Sequence, residues 1–271
     1  MERLFYQREW QQVPFQELDA VDSSPVAGRA FYTTFYQRLL SDGPTLAPDW
    51  VRLKQRVGQW LAAEFLAPLG EHRALRVFSV GAGLGLVERV LWDQDYRVDV
   101  LECEGHALQY LKARAPASSF GIVGDARALP CRSDLYDLVY LSTVDYCFDR
   151  TQYTQVLGEM RRVMRATGTV VCVCASNLAL TGVMRGFAKT ILKHNGQTKP
   201  HGSAEAVPWG YQRTVGEHLS AGRRAGLVCE CVYLFDQGFN LRAVRIADCP
   251  HLGWPTLREA VVAVAFKKSA A

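Results

Sequence analysis

From residue 75 onward the apolar positions fall into short runs of strand length, separated by stretches with helical spacing. Strands are predicted over 76–80, 97–101, 120–123 and 136–142, and helices over 84–94 and 104–114. A third helix is predicted over 151–165, where Tyr153, Val156, Leu157, Met160, Val163 and Met164 share one face. The run 169–175 is almost wholly apolar, as a strand covered on both sides should be. Strand and helix alternating in this way predict an α/β fold with a doubly wound, mostly parallel sheet and helices on both faces.

On either side of that stretch the pattern is less regular. Pro48 and Asp49 open a helix with Leu53, Val57, Trp60, Leu61 and Phe65 at helical spacing, and Gly70 stands where a terminating glycine belongs. Residues 1–48 mix aromatics with a turn-rich patch at 22–25 and read as short helices joined by loops, an N-terminal helical cap. Phe31, Tyr32, Phe35 and Tyr36 recur at spacings of three and four, which gathers rings on one helical face. Such a stripe either walls a ligand pocket or only seals the sheet. After residue 176, a helix is predicted over 177–193 and a loop rich in Gly, Pro and His over 195–212, so that 177–212 reads as a lid or substrate insertion. Thr214 with Glu217 makes a capping box for another helix, and 227–234 and 259–267 supply the last two of seven strands.

Composition changes this picture little. Of 271 residues 49% are hydrophobic, enough for the core of one elaborated domain over 49–271 beneath the 1–48 cap. The net charge of +4 is small and the basic residues are scattered, which argues against a nucleic-acid partner. Arg161, Arg162 and Arg165, the nearest thing to a basic run, read as a solvated helix face. The eight cysteines contain no CxxC pair; Cys172/Cys174 and Cys229/Cys231 lie two apart in apolar runs, which puts both thiols of each pair on one strand face. Reduced, buried thiols of a cytoplasmic protein are expected, not disulfides or zinc. The N-terminus has no apolar core of signal-peptide length, and no run approaches the ~18 apolar residues of a membrane span.

Candidate chemistry begins at Val77-Phe78-Ser79-Val80-Gly81-Ala82-Gly83-Leu84-Gly85-Leu86, a strand entering a glycine-rich turn and then a helix. Glycines there let a ligand approach bare backbone beside a helix N-terminus, although a turn without a ligand has the same appearance. Glu102 strengthens the ligand reading, because it ends the next strand, 21 positions after Gly81. An acid so placed accepts hydrogen bonds from two ribose hydroxyls. The dinucleotide fingerprint wants a third glycine where this chain has Leu86, which counts against NAD.

Gly124-Asp125-Ala126-Arg127-Ala128-Leu129-Pro130, then 136–140, then Arg161 to Thr169 follow in order. With the glycine turn they resemble the successive motifs of class I S-adenosylmethionine (SAM)-dependent methyltransferases, over about residues 75–176. The texture is nearest to the branch that includes quinone-biosynthesis and other small-molecule enzymes. The resemblance implies a Rossmann-like seven-stranded fold, with SAM as cofactor and S-adenosylhomocysteine as product. It implies that Gly81, Ala82 and Gly83 pack against the methionine and ribose part, that Glu102 holds the ribose hydroxyls, and that Cys103 lies near the adenine. Asp125 would accept from the adenine amino group beside the Ala126 backbone, and Ser142 would face the sulfonium. Members usually carry an acid at the position of Ser79 and Pro-Gly-Gly where this chain has Ala166-Thr167-Gly168. An NAD-dependent Rossmann oxidoreductase shares the turn and Glu102 but leaves Asp125 unexplained. A catalytically silent methyltransferase fold acting as a binding protein is suggested only by Ser79.

Methyl transfer from a sulfonium is an in-line displacement that chiefly needs placement and exclusion of water. A hydroxyl acceptor also benefits from a base. Asp145 is the first candidate, with a helix N-cap as its structural alternative; His201 and His194 are others, each equally readable as a solvated loop residue. Asp145 and Asn177 both follow strands at one end of the sheet, but no acid precedes Asn177, so no metal is expected. O-methylation of a small-molecule acceptor is the expected reaction.

Overall fold

The apolar runs after residue 75 pair into one sheet. The computed structural model describes residues 3–11, 13–14, 29–41, 46–174, 207–235, 241–242 and 261–269. In chain order these form β1 (Arg3–Gln7), β2 (Glu9–Trp10), β3 (Val13–Pro14), α1 (Arg29–Ser41), α2 (Pro48–Leu61), β4 (Arg76–Val80), α3 (Leu86–Trp92), β5 (Arg97–Glu102) and α4 (Gly105–Lys112). There follow β6 (Gly121–Val123), β7 (Tyr136–Ser142), α5 (Arg150–Val163), β8 (Met164–Cys174), β9 (Val207–Gln212), α6 (Val215–Arg224), β10 (Leu227–Phe235), β11 (Leu241–Arg242) and β12 (Val261–Lys268).

The seven expected strands lie in the order β10-β12-β8-β7-β4-β5-β6, and the two-residue β11 adds an eighth at the β10 edge. Strands β8, β7, β4, β5 and β6 are parallel, whereas β12 runs antiparallel between β8 and β10. Alternate strand residues feed opposite cores, as a period of two requires. Val77, Val98, Leu138, Val171 and Ala263 pack with α2, α3 and α4, while Phe78, Val139, Val170, Cys172 and Val264 pack with α5 and α6. Burial on both faces explains why these strands read as continuous apolar runs.

Both caps on the second face rest on side-chain chemistry. Asp149 and Gln152 form a capping box at α5, and Thr214 and Glu217 form the expected one at α6. Helix α2 passes through a π-turn (Ala62–Leu66) and a 3₁₀ turn (Ala67–Leu69) before it ends at Gly70.

Two expectations are corrected. Residues 3–7 and 207–212, read as helix-and-loop and as loop, pair as antiparallel strands β1 and β9, with Leu4 opposite Tyr211 and Phe5 opposite Gly210. The helical reading of the N-terminus holds for α1, whose Phe31, Phe35, Tyr36 and Leu39 are buried against Leu84, Ala107, Tyr146 and Trp209. The predicted helix 177–193 and most of the 195–212 loop lie outside the described residues. Cys103, Cys131, Cys147, Cys172, Cys174, Cys229 and Cys231 form no disulfide. Among the described residues no helix is long and apolar enough to cross a membrane.

Candidate active site

A cavity of about 640 Å³ opens at the carboxyl ends of β4, β5, β6 and β7, where open α/β sheets place their ligands. One half is polar and lined by the turn after β4, by Glu102 and Cys103, by 123–127 and by Ser142 and Thr143. Gly83 holds a left-handed φ of 57°, and a Cβ there would stand 3.1 Å from the Tyr36 hydroxyl. The bare backbone lets its N–H donate to Glu102 Oε2 at 2.7 Å, while Cys103 N–H donates to Oε1 at 2.9 Å. Burial raises the Glu102 carboxyl above the usual range, against the pull of those two hydrogen bonds. Burial also pushes the Cys103 thiol well up, so it is protonated and donates to Glu102.

Asp125 is half-exposed at the cavity edge, and Arg127 grips it through its backbone N–H, Nε and terminal nitrogen at 2.6–3.0 Å. That grip holds the carboxyl below its usual range. The buried Ala126 lies beside it on the same wall. The resemblance thus assigns to adenine a carboxylate that Arg127 already holds.

Ser142 lies where expected, at the end of β7, but it is held by a residue the sequence reading passed over. Lys54 of α2 is buried, and its Nζ donates to Ser142 O at 2.8 Å, Ser142 Oγ at 3.0 Å and Thr143 Oγ1 at 2.6 Å. Burial pulls its pKa down to about 7, opposed by Glu88 and Asp145. Ser79, where the resemblance leads one to expect an acid, donates to Glu88 Oε1 at 2.6 Å, and the Tyr140 hydroxyl donates to the same oxygen at 2.6 Å. The available signal for both missed residues was a charge within an apolar helical stripe. Lys54 is one turn before Gly58 and follows Trp50 by four, and Glu88 lies between Val87 and Leu91.

Asp145 requires a correction in place. It is fully buried in the 3₁₀ turn after β7 and is not among the residues lining the cavity. The turn points it into the core, where its carboxylate, Cys174 Sγ and a His218 ring nitrogen lie within 4.8 Å of one another. His218 is driven down to about 3, first by burial and then by Arg213, so it is neutral. His201, His194 and Asn177 lie outside the described residues.

The other half of the cavity is aromatic. Trp10, Tyr32, Phe35, Tyr36, Trp50, Tyr146 and Tyr211 line it, and Tyr32 and Tyr146 share a hydroxyl hydrogen bond of 2.8 Å. Burial raises both phenols well above their usual value. The 31–36 stripe therefore walls the pocket as well as sealing the sheet end.

Residues 78–172 match the family described as a methyltransferase domain. No curated protein sequence matches the chain. Among solved structures, magnesium protoporphyrin IX methyltransferase (ChlM) from Synechocystis PCC 6803, with bound SAH, is similar at TM-score 0.58 and 12% identity over 89% of this chain and 98% of that one. The CcbJ methyltransferase from Streptomyces caelestis is similar at TM-score 0.57 and 15% identity over 86% and 96% of the two chains. PH0226 protein from Pyrococcus horikoshii OT3 gives TM-score 0.55 and 15% identity over 82% and 92%. The fold is the Rossmann-like one of these solved structures. Residues 78–172 thus match a methyltransferase domain, on a fold shared with solved methyltransferases.

Proposed function

We propose that this chain moves the methyl group of SAM to a hydroxyl oxygen of a small molecule with an aromatic or otherwise apolar body. The observation that carries the reading is the continuity of the cavity from the glycine turn and Glu102 into the aromatic wall. Its two chemical characters fit a polar nucleoside at one end and an apolar acceptor at the other. The glycine turn offers a cradle that fits the cofactor, since a Cβ at Gly83 would crowd Tyr36. When bound, SAM supplies a sulfonium-activated methyl group.

The remaining tasks belong to the protein. Glu102 accepts the ribose hydroxyls, Gly81, Ala82 and Gly83 pack beneath the ribose and methionine, and Cys103, Asp125 and Ala126 border the adenine. Ser142 faces the sulfonium. The aromatic wall would seat the acceptor with its oxygen turned to the methyl group, at the near-attack separation of about 3–3.5 Å that such a displacement needs. With SAM held there, the acceptor oxygen would displace the sulfur from the methyl carbon, the C–S electron pair would stay on sulfur, and the acceptor proton would pass to a base or to water. With the Asp145 side chain turned into the core, placement and exclusion of water carry the rate, and His201 is the base this reading assigns.

Glu102→Ala removes two ribose hydrogen bonds to a charged group and should weaken SAM binding by about 1.5–3 kcal/mol. Calorimetry that found the variant binding SAM as tightly as the parent would reject the ribose assignment.

A further inference from the structure

Two buried charges line the cavity without meeting each other. Glu88, on α3, spends one oxygen on Ser79 and Tyr140, whereas its Oε2 is buried with no hydrogen-bond partner among the described residues. Lys54, on α2, donates among the described residues only to the neutral oxygens of Ser142 and Thr143, and lies 4.6 Å over the Trp50 ring. No described ion pair joins Lys54 to a carboxylate. A buried ion left this way is costly unless something else completes it.

The sheet order says which part of a ligand reaches them. Asp125 follows β6 and Glu102 ends β5, so a nucleoside held by those residues lies over that side of the sheet. Whatever continues from its ribose crosses the glycine turn after β4 toward β7, where Ser142, Lys54 and Glu88 line the same cavity. We propose that Lys54 and Glu88 form a two-point clamp for the zwitterionic amino-acid end of SAM, Lys54 taking the carboxylate and Glu88 Oε2 the ammonium. This rests on the SAM reading above.

The clamp also accounts for Ser79. The negative charge usually carried by the strand is brought to the same place by the helix, because Ser79 Oγ touches Glu88 at 2.6 Å. The lost acid is displaced nine positions along the chain, not missing in space. Burial raises the Glu88 carboxyl above its usual range, and an arriving ammonium favours the ionised form.

The test compares ligands with and without the amino-acid end, by calorimetry on the full chain. Methylthioadenosine keeps the nucleoside and thioether but has no amino acid, and decarboxylated SAM lacks only the carboxylate. Glu88→Gln and Lys54→Met should each weaken S-adenosylhomocysteine about tenfold to hundredfold and leave methylthioadenosine binding unchanged. Lys54→Met should also lose the parent's discrimination between SAM and decarboxylated SAM, while Lys54→Arg restores part of it. Equal losses for both nucleosides would mean that the residues only support the cavity and would overturn the clamp. Undiminished binding of S-adenosylhomocysteine would overturn it as well. Should Lys54→Met melt at assay temperature, Glu88→Gln and Lys54→Arg decide between the same outcomes. A parent that binds neither nucleoside refutes the SAM reading itself, a separate result.

Discussion

At the scale of single residues, the site depends on which partner each charge has already taken. Arg127 contacts Asp125 through three of its nitrogens, so in the proposed reading an adenine amino group would compete for that carboxylate. Arg127→Ala should therefore tighten nucleoside binding by up to about fivefold, the scale of an exposed ion pair. Adding Asp125→Asn should cancel the gain; unchanged affinity on calorimetry in Arg127→Ala would show that Asp125 does not meet the base. His218 titrates at about 3 in the folded chain because burial disfavours its charged form. Between that value and the ordinary ~6.5 the unfolded chain binds more protons, so stability falls as pH drops through this window. Melting temperatures of the parent should accordingly decline more steeply from pH 7 to pH 4 than those of His218→Asn. Parallel slopes would contradict a buried neutral imidazole.

At the scale of elements, side chains from late in the chain tie neighbouring segments together. Arg161 donates to Gly226 O, Arg162 reaches Leu129 O and Cys131 O, and Arg165 pairs with Asp137. What reads in sequence as a solvated basic face is a set of staples from α5 and β8 to neighbouring loops and to β7. Arg213, between β9 and α6, does the same for the turn after β7 by donating to the carbonyls of Asp145 and Phe148. It is buried, so among the described residues its removal leaves Phe148 O without this donor and Asp145 O with only the long Phe148 N–H bond of 3.4 Å. Arg213→Met should cost about 3 kcal/mol in urea unfolding, and Arg213→Lys should recover only part because an ammonium lacks the planar fork. A loss below ~0.5 kcal/mol would mean that the turn holds itself.

At the scale of the whole molecule, the aromatic side of the cavity, the proposed acceptor side, is built by segments far apart in the chain meeting. Strand β1 lies against β9, some 200 positions away, and Trp10 packs on Trp50 and Trp209 at 4.9 and 5.7 Å between ring centroids. In the proposed reading the cofactor side needs neither contact. Removing residues 1–14 should lower acceptor turnover about tenfold or more, roughly 1.4 kcal/mol, while S-adenosylhomocysteine binding stays close to that of the full chain. A truncated protein that stays folded and turns over with unchanged kinetics would place acceptor recognition elsewhere.

The strand-and-helix order, the glycine turn, Glu102 at the end of β5 and the Thr214–Glu217 cap were legible in the chain because each depends on neighbours within a few residues. Period-two and period-3.6 burial, left-handed turns and capping are local physics, and they carry over to the fold with boundary shifts such as 169–175 becoming Met164–Cys174. The β1–β9 pairing, the aim of Asp145 into the core and the placing of Lys54 and Glu88 at one cavity were not legible. A lysine in an apolar helical stripe has the same local pattern whether it snorkels to water or ends against Ser142, 88 positions away. Only the packing of α2 and α3 across the end of β4 removes the water and leaves a buried charge to be answered by another part of the molecule or by a ligand.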